Sequence, residues 1–220
     1  DYIYLAGGEK HCILAYDYND LVNAQNDDFL TLKGEFETKT QTDQLGSAFV
    51  TVSGDRLIIG EFYRDKSYPT LDSHKLTTKA GDYNQALAVE YKLDSNKPLG
   101  INPTPIKAYS MPDHVQGLEI NDGKIYLSTS WGLSFSHILE YDESKLVLQG
   151  EKEVLGYTLP LYAMDSESLV NDYKIAPMSE EMAFVDGMLY VNCESASNKY
   201  IFGKFTGGKW MYKTNLEEMK

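Results

Sequence analysis

Positive charge is scarce in this chain. Twenty Lys and Arg stand against 33 Asp and Glu in 220 residues, a net charge of −13 with an isoelectric point near 4.7. Phosphate backbones are held by clustered Lys and Arg, so nucleic acid is excluded as a partner. The acidity serves solubility rather than fold. Cysteine is as thin: only Cys12 and Cys193 occur, each inside a strand pattern. They read as small buried hydrophobes, since a disulfide needs Cα atoms within about 7 Å. With no CxxC and no Cys/His cluster, neither a structural zinc nor another metal or cofactor is expected. No apolar run approaches the roughly 18 residues of a membrane span. There is no Asn-x-Ser/Thr sequon, Asn102 being followed by Pro103, so glycosylation gives no sign of secretion. GxSxG, P-loop and GxGxxG patterns are missing. His11, His74, His114 and His137 show no metal spacing, and Asp17-Tyr18-Asn19-Asp20 lacks the glycine and distal Glu of a calcium loop.

What is present is a unit of apolar strand, tight polar turn and second apolar strand. It reads VTVSGDRLII at 50–59, LEINDGKIYL at 118–127 and MAFVDGMLYV at 182–191, with a half-unit DYIYL at 1–5. Ile3, Leu57, Ile125 and Leu189 are equivalent positions of the second strand. A third strand follows and ends on Tyr16, Tyr91, Tyr141 or Phe205. Ser53-Gly54, Asp122-Gly123 and Asp186-Gly187 sit where the turn needs positive φ, which Gly supplies and Asp tolerates. Seventeen Tyr suit a pleated surface. All-strand units recurring at this period predict an all-β chain, a β-propeller with four blades near 1–45, 46–113, 114–176 and 177–220. The first blade lacks its inner strand, so the chain is expected to extend upstream of Asp1 by at least one strand, or by a whole blade that completes five, because a bare edge is an aggregation liability.

Other segments carry finer expectations. Residues 18–30 read as turn and connector, and 32–41 as an outer strand. The polar insertion 64–84 reads as a surface loop able to cover a binding face. Residues 164–172 suggest a short helix capped by Asp165 or Ser166. Residues 200–205 read as the third strand of the last blade, and 209–213 as its outer strand.

In a propeller the inner strands line a channel, and the residues leading into them ring its mouth. Alignment puts Ala48, Gln116 and Glu180 at one position and Phe49, Gly117 and Glu181 at the next. Successive strand side chains alternate, so one of Glu180 and Glu181 faces the channel, there to bond orphan amides or a ligand. His114 precedes the channel strand. Gly8, Phe62, Ser130 and Glu194 end the second strands, Trp131 follows as an aromatic at a loop tip, and Lys199 and Tyr200 complete a polar cluster with Glu194. The candidate ligand-binding set is therefore His114, Gln116, Trp131, Glu194, Lys199 and Tyr200. Glu181 and Glu180 are the candidate catalytic groups if the chain is an enzyme.

Residues 114–142 and 177–200 resemble a group of bacterial secreted or cell-surface β-propeller proteins of uncharacterised activity. The shared features are Gln116-Gly117 leading into one inner strand, the Pro-Met-x-Glu of 177–180 and the Glu-Ser-Ala of 194–196. This resemblance implies an extracellular or cell-surface protein and supplies no chemistry. The acidic, Tyr-rich strands, the missing catalytic signatures and the insertion at 64–84 point to a monomeric module that binds a small peptide or carbohydrate at the channel mouth. The same stretch is similar to the five-bladed plant-type glutaminyl cyclases in Gln116-Gly117-Leu118, in Tyr126 to Thr129 and in Asp142. That similarity implies a channel Glu as general acid/base near Glu180 or Glu181. The chain departs from the pattern where the cyclases have Glu-Gly, and its second strand reads YLSTS where they carry an acidic residue.

Overall fold

The computed structural model describes residues 1–8, 10–194, 202, 205 and 209–219, and it is all-β. Strands β1 (Tyr2–Ala6), β2 (Cys12–Asp17) and β3 (Leu32–Glu37) form the first sheet in that order. Strands β4 (Phe49–Ser53) and β5 (Arg56–Gly60) open the second. The ribbon β6 (Leu76–Thr77) with β7 (Tyr83–Asn84) interrupts it before β8 (Ala86–Lys92) and β9 (Lys107–Met111). The third holds β10 (Val115–Asn121), β11 (Lys124–Thr129) and β12 (Ser136–Asp142). A hairpin, β13 (Val147–Val154) and β14 (Tyr157–Ala163), then intervenes before β15 (Leu169–Ile175) closes that sheet's outer side. Strands β16 (Ser179–Val185), β17 (Met188–Cys193) and β18 (Tyr212–Thr214) form the fourth.

The registers coincide from sheet to sheet. Val52 faces Leu57, Ile120 faces Ile125 and Phe184 faces Leu189 across the inner hairpins. Ile3 faces Tyr16, Leu57 faces Tyr91 and Ile125 faces Tyr141 across the next pair. At Asp122-Gly123 and Asp186-Gly187 both turn residues have positive φ, whereas at Gly54-Asp55 only the glycine does. Strand β10 packs between β4 and β16, and β1 lies against β4.

Period-two alternation then buries both faces of the middle sheets. Leu57 and Ile59 point into a core shared with Ile13 of the first sheet, while Ile58 points into one shared with Leu118, Ile125 and Leu127 of the third. A third core joins Tyr126, Ile138 and Tyr173 to Met182, Leu189 and Val191. Each fully buried aliphatic contributes roughly 1.5–3 kcal/mol, so these intersheet cores carry the fold. Cys12 and Cys193 are buried and free.

The β13–β14 hairpin leaves the third sheet and adds to the second, β14 pairing parallel with β9 through Leu161–Ala108 and Ala163–Ser110. Its turn holds Leu155 at φ 54, uncommon for a branched side chain. That turn is held by the Leu155 amide donating to Asp43 Oδ2 at 2.7 Å and by burial of the side chain.

Three local expectations need correcting. Residues 164–172 form no helix: Asp165 O accepts from the Ser168 and Leu169 amides in a turn, and β15 follows, with buried Tyr173 opposite Ile138. Sheet pairing outweighs the capping signal there. Strand β18 pairs directly with β17, Tyr212 opposite Val191, so the segment expected on the outside takes the third position. Most of 200–205 lies outside the described residues, and the described Phe202 and Phe205 are exposed and not in a strand. The connector 18–30 contains a short helix (Tyr18–Asn23) capped by Asp17, whose side chain accepts from the Asn19 amide at 2.8 Å. The outer strand expected at 32–41 is β3.

Two polar staples join the sheets. Arg56 donates to Glu90 at 2.8 and 3.0 Å and to Glu143 at 2.7 and 3.0 Å, bridging the second and third. The buried His74, from the insertion, holds Glu61 at 3.0 Å through Nδ1 and Asp43 at 3.2 Å through Nε2. Glu61 also accepts the Gly46 and Leu87 amides. Burial alone would depress the His74 pKa, but the Glu61 bond and charge, with Asp43, raise it. A histidine raised in the fold stabilises fully below its unfolded value and loses that contribution as pH climbs through the folded one. We expect His74→Ala to cost about 3 kcal/mol near pH 6, with the gap to the native protein narrowing above about pH 7. Urea unfolding of both proteins across that range checks it; a gap independent of pH would mean that folding leaves the His74 pKa unshifted, and a gap that widens as pH rises would mean that His74 is neutral in the fold.

Candidate functional site

The residues leading into the inner strands meet the ends of the second strands along one rim. The Ser130 amide donates to His114 O at 3.0 Å, and the Glu194 amide donates to Met178 O at 2.8 Å. Both acceptors are left-handed, with φ 59 and 64, a sparsely populated state for non-glycine residues. His114 is held in it from its other side as well, its amide donating to Tyr63 O at 3.1 Å. Its ring lies 5.8 Å from Phe62 and 6.2 Å from Trp131, and Asp113 Oδ2 sits 3.3 Å from Nδ1. Tyr68 of the insertion meets Phe62 edge-on at 5.4 Å, and the Arg64 guanidinium lies 3.7 Å from the Trp131 ring centre.

Asp113, His114 and Trp131 thus form a wall with a cleft on each side. One cleft, of about 320 Å³, is completed by Thr129, Ser130, Ser134, Phe135 and His137. The other, of about 630 Å³, is completed by Tyr63, Arg64, Asp65, Lys66 and Gln85. Trp131 is 41% exposed at their junction. Flat aromatic faces beside hydroxyls, imidazoles and a carboxylate suit a polyhydroxylated ligand, whose C–H faces stack while its hydroxyls bond.

Both inner strands begin with a bulge, a device that re-aims side chains beside sites. The register of β10 shifts at Gln116, and that of β16 between Ser179 and Met182. Glu181 leans onto Gly117, where a Cβ would stand 2.6 Å from its Oε1 and 2.9 Å from its Cα. Burial pushes the Glu181 carboxyl up to about 8, with the Glu119 and Glu180 charges adding and amide bonds from Met182 and Leu118 opposing. Burial likewise pushes Glu119 up to about 7. Burial, with the charge of Glu180, pushes the Cys193 thiol up to about 11.

Of the sequence candidates, the structure brings His114 and Trp131 together. Gln116, Glu180 and Glu181 occupy the bulges, and Glu194 ends β17 on the same rim through its amide. Lys199 and Tyr200 lie outside the described residues. Sequence reasoning passed over Arg64 and Tyr68, which sit in an insertion without counterpart in the other units. It also passed over Glu119, although its i+2 relation to Gly117 puts it on the same strand face. Among the described residues, no group of three or more His, Cys, Asp and Glu is placed to hold a metal ion, and no helix is long and apolar enough to cross a membrane. Compared with known proteins, the chain matches no family model and no curated protein.

Glu119 and Glu181 stand above the ordinary carboxyl value, so their neutral forms favour the fold. That contribution is complete below about pH 4.5 and is lost as pH rises through about 7 and 8. Glu181→Gln keeps an acceptor for the two amides and removes the titration. The fall in urea midpoint between about pH 5 and 8.5 should therefore be shallower in Glu181→Gln than in the native protein. An equal fall in both would show that Glu181 is ionised throughout.

Proposed function

We propose that the chain is an extracellular β-propeller binding module of a bacterial surface or secreted protein, its ligand seated at the rim where the inner strands begin. Four sheets with one shared register, inner strands side by side and cores between successive sheets support the propeller reading. The wall of His114 and Trp131 between two clefts carries the binding reading. A carbohydrate suits this wall better than a peptide. Strand β11, whose end lines the cleft, is paired on both sides and offers no open edge to a peptide backbone. Glycan and peptide arrays test it: binding should survive Glu181→Gln and drop roughly tenfold or more with Trp131→Ala, as for a central aromatic contact. Silence on both arrays ends the reading.

The raised carboxyl of Glu181, beside Glu119, favours a second reading. A glutaminyl cyclase-like enzyme would use such a group, protonated near neutrality, as general acid/base for aminoacyl cyclisation. A fluorogenic glutaminyl-peptide assay decides it. Turnover that falls with Glu181→Gln or Glu180→Gln supports the assignment, turnover indifferent to both removes these residues, and no turnover removes the reaction.

A further inference from the structure

The chain has two arginines, Arg56 and Arg64. Arg56 is saturated by Glu90 and Glu143. Among the described residues, Arg64 has no carboxylate within ion-pair distance, although the chain carries 33 of them. Its guanidinium donates to Ser67 Oγ at 2.6 Å and otherwise rests on Trp131, 3.7 Å from the ring centre. The loop that carries it is closed by reciprocal amide bonds, Arg64 to Tyr68 O at 3.0 Å and Tyr68 to Arg64 O at 2.9 Å.

A guanidinium offers five N–H donors in a planar fork matched to a carboxylate. Contact with the Trp131 ring holds the group at the edge of the larger cleft, and among the described residues its one hydrogen-bond partner is Ser67. Lys66 adds a second positive charge to this cleft, and Asp113 is engaged with His114 at 3.3 Å. Asp65 and Asp113 still oppose a polyanion there, as does the net charge of −13. The ligand that fits has one isolated carboxylate among hydroxyls.

We propose that Arg64 is the specificity-determining residue of the rim cleft and selects a glycan bearing a single carboxylate, a uronic-acid sugar, over its neutral counterpart. This rests on the carbohydrate reading above. Calorimetry at fixed ionic strength would compare a trisaccharide ending in glucuronic acid with one ending in glucose. The acidic sugar should bind about tenfold or more tighter, the scale of a charge-assisted hydrogen-bonded contact. Arg64→Gln should bring it down to the level of the neutral sugar. Arg64→Lys should restore part of the difference, because an ammonium keeps the charge and lacks the fork. Equal affinity of the native protein for both sugars, or a preference that outlives Arg64→Gln, overturns the role of Arg64 and leaves the glycan reading standing. If neither trisaccharide binds, the glycan reading falls, and glucuronate against glucose at matched ionic strength, read by Trp131 fluorescence with Trp131→Phe as blank, decides Arg64 separately. A glucuronate-specific change lost in Arg64→Gln then keeps the carboxylate site, and no change overturns it.

Discussion

Open strand edges where the sheets meet set the terms for everything around them. Strand β10 is paired on one side only, by β11. The alternation of an antiparallel pair leaves the N–H and C=O of Leu118 and Ile120 directed off that edge. Buried peptide groups left without partners cost about 1–3 kcal/mol each. The neighbouring sheets supply the partners through side chains. Thr51 and Ser53 of β4 donate their hydroxyls to Leu118 O and Ile120 O. From the other side the Glu181 carboxyl accepts the Leu118 amide. An edge that would otherwise recruit a foreign strand is thereby occupied by the molecule itself, at the cost of confining a carboxyl in a poorly solvated place. The raised pKa of Glu181 follows directly from that confinement.

Away from the centre, the sheets are tied by polar staples rather than by further strand pairing. Arg56 clamps Glu90 of β8 and Glu143 beyond β12, with the Tyr109 hydroxyl donating to Glu90 at 2.6 Å. His74 gathers Glu61 from the end of β5 and Asp43 from the segment before β4. Asp43 in turn fixes the turn of the β13–β14 hairpin. The hairpin thus crosses from the third sheet to the second and is pinned there by a residue lying between the first and second. Successive sheets are coupled in this way even though, among the described residues, only the isolated Gly8–Ser47 bridge and no ladder joins the first to the second.

The parts that could be read from the sequence are those with local causes. Asp122-Gly123 and Asp186-Gly187 announce their hairpins because few residues accept positive φ, and the strands on either side follow by alternation. The Leu155-Gly156 hairpin escaped notice because Leu155 is a poor turn residue, kept in place by Asp43 more than a hundred residues earlier. Residues 164–172 carried a plausible cap, and only the distant pairing of β15 with β12 makes them turn and strand. The same division holds at the rim. His114 and Trp131 could be found by aligning units, whereas Arg64 and Tyr68 reach the wall from an insertion whose path depends on its own contacts. Glu119 was hidden because it lies inside β10, away from the aligned positions where strands begin.

The bulges connect the central constraint to the rim. One extra residue at Gln116 and one between Ser179 and Met182 end regular pairing at the mouth of each inner hairpin. Below the bulge the strands are committed to satisfying one another's edges, and a polar group there serves the backbone. Above it, His114 and Met178 turn left-handed, and the chain is released from the ladder. Side chains beyond that point answer to aromatic and ionic neighbours instead. This separates a half-buried pair of carboxyls, Glu119 and Glu181, from a more exposed aromatic wall at His114 and Trp131. The first has lost part of its hydrogen-bonding capacity to the fold. The second keeps its imidazole, indole and guanidinium on an open cleft, which is why the proposed recognition is placed there rather than at the carboxyl pair.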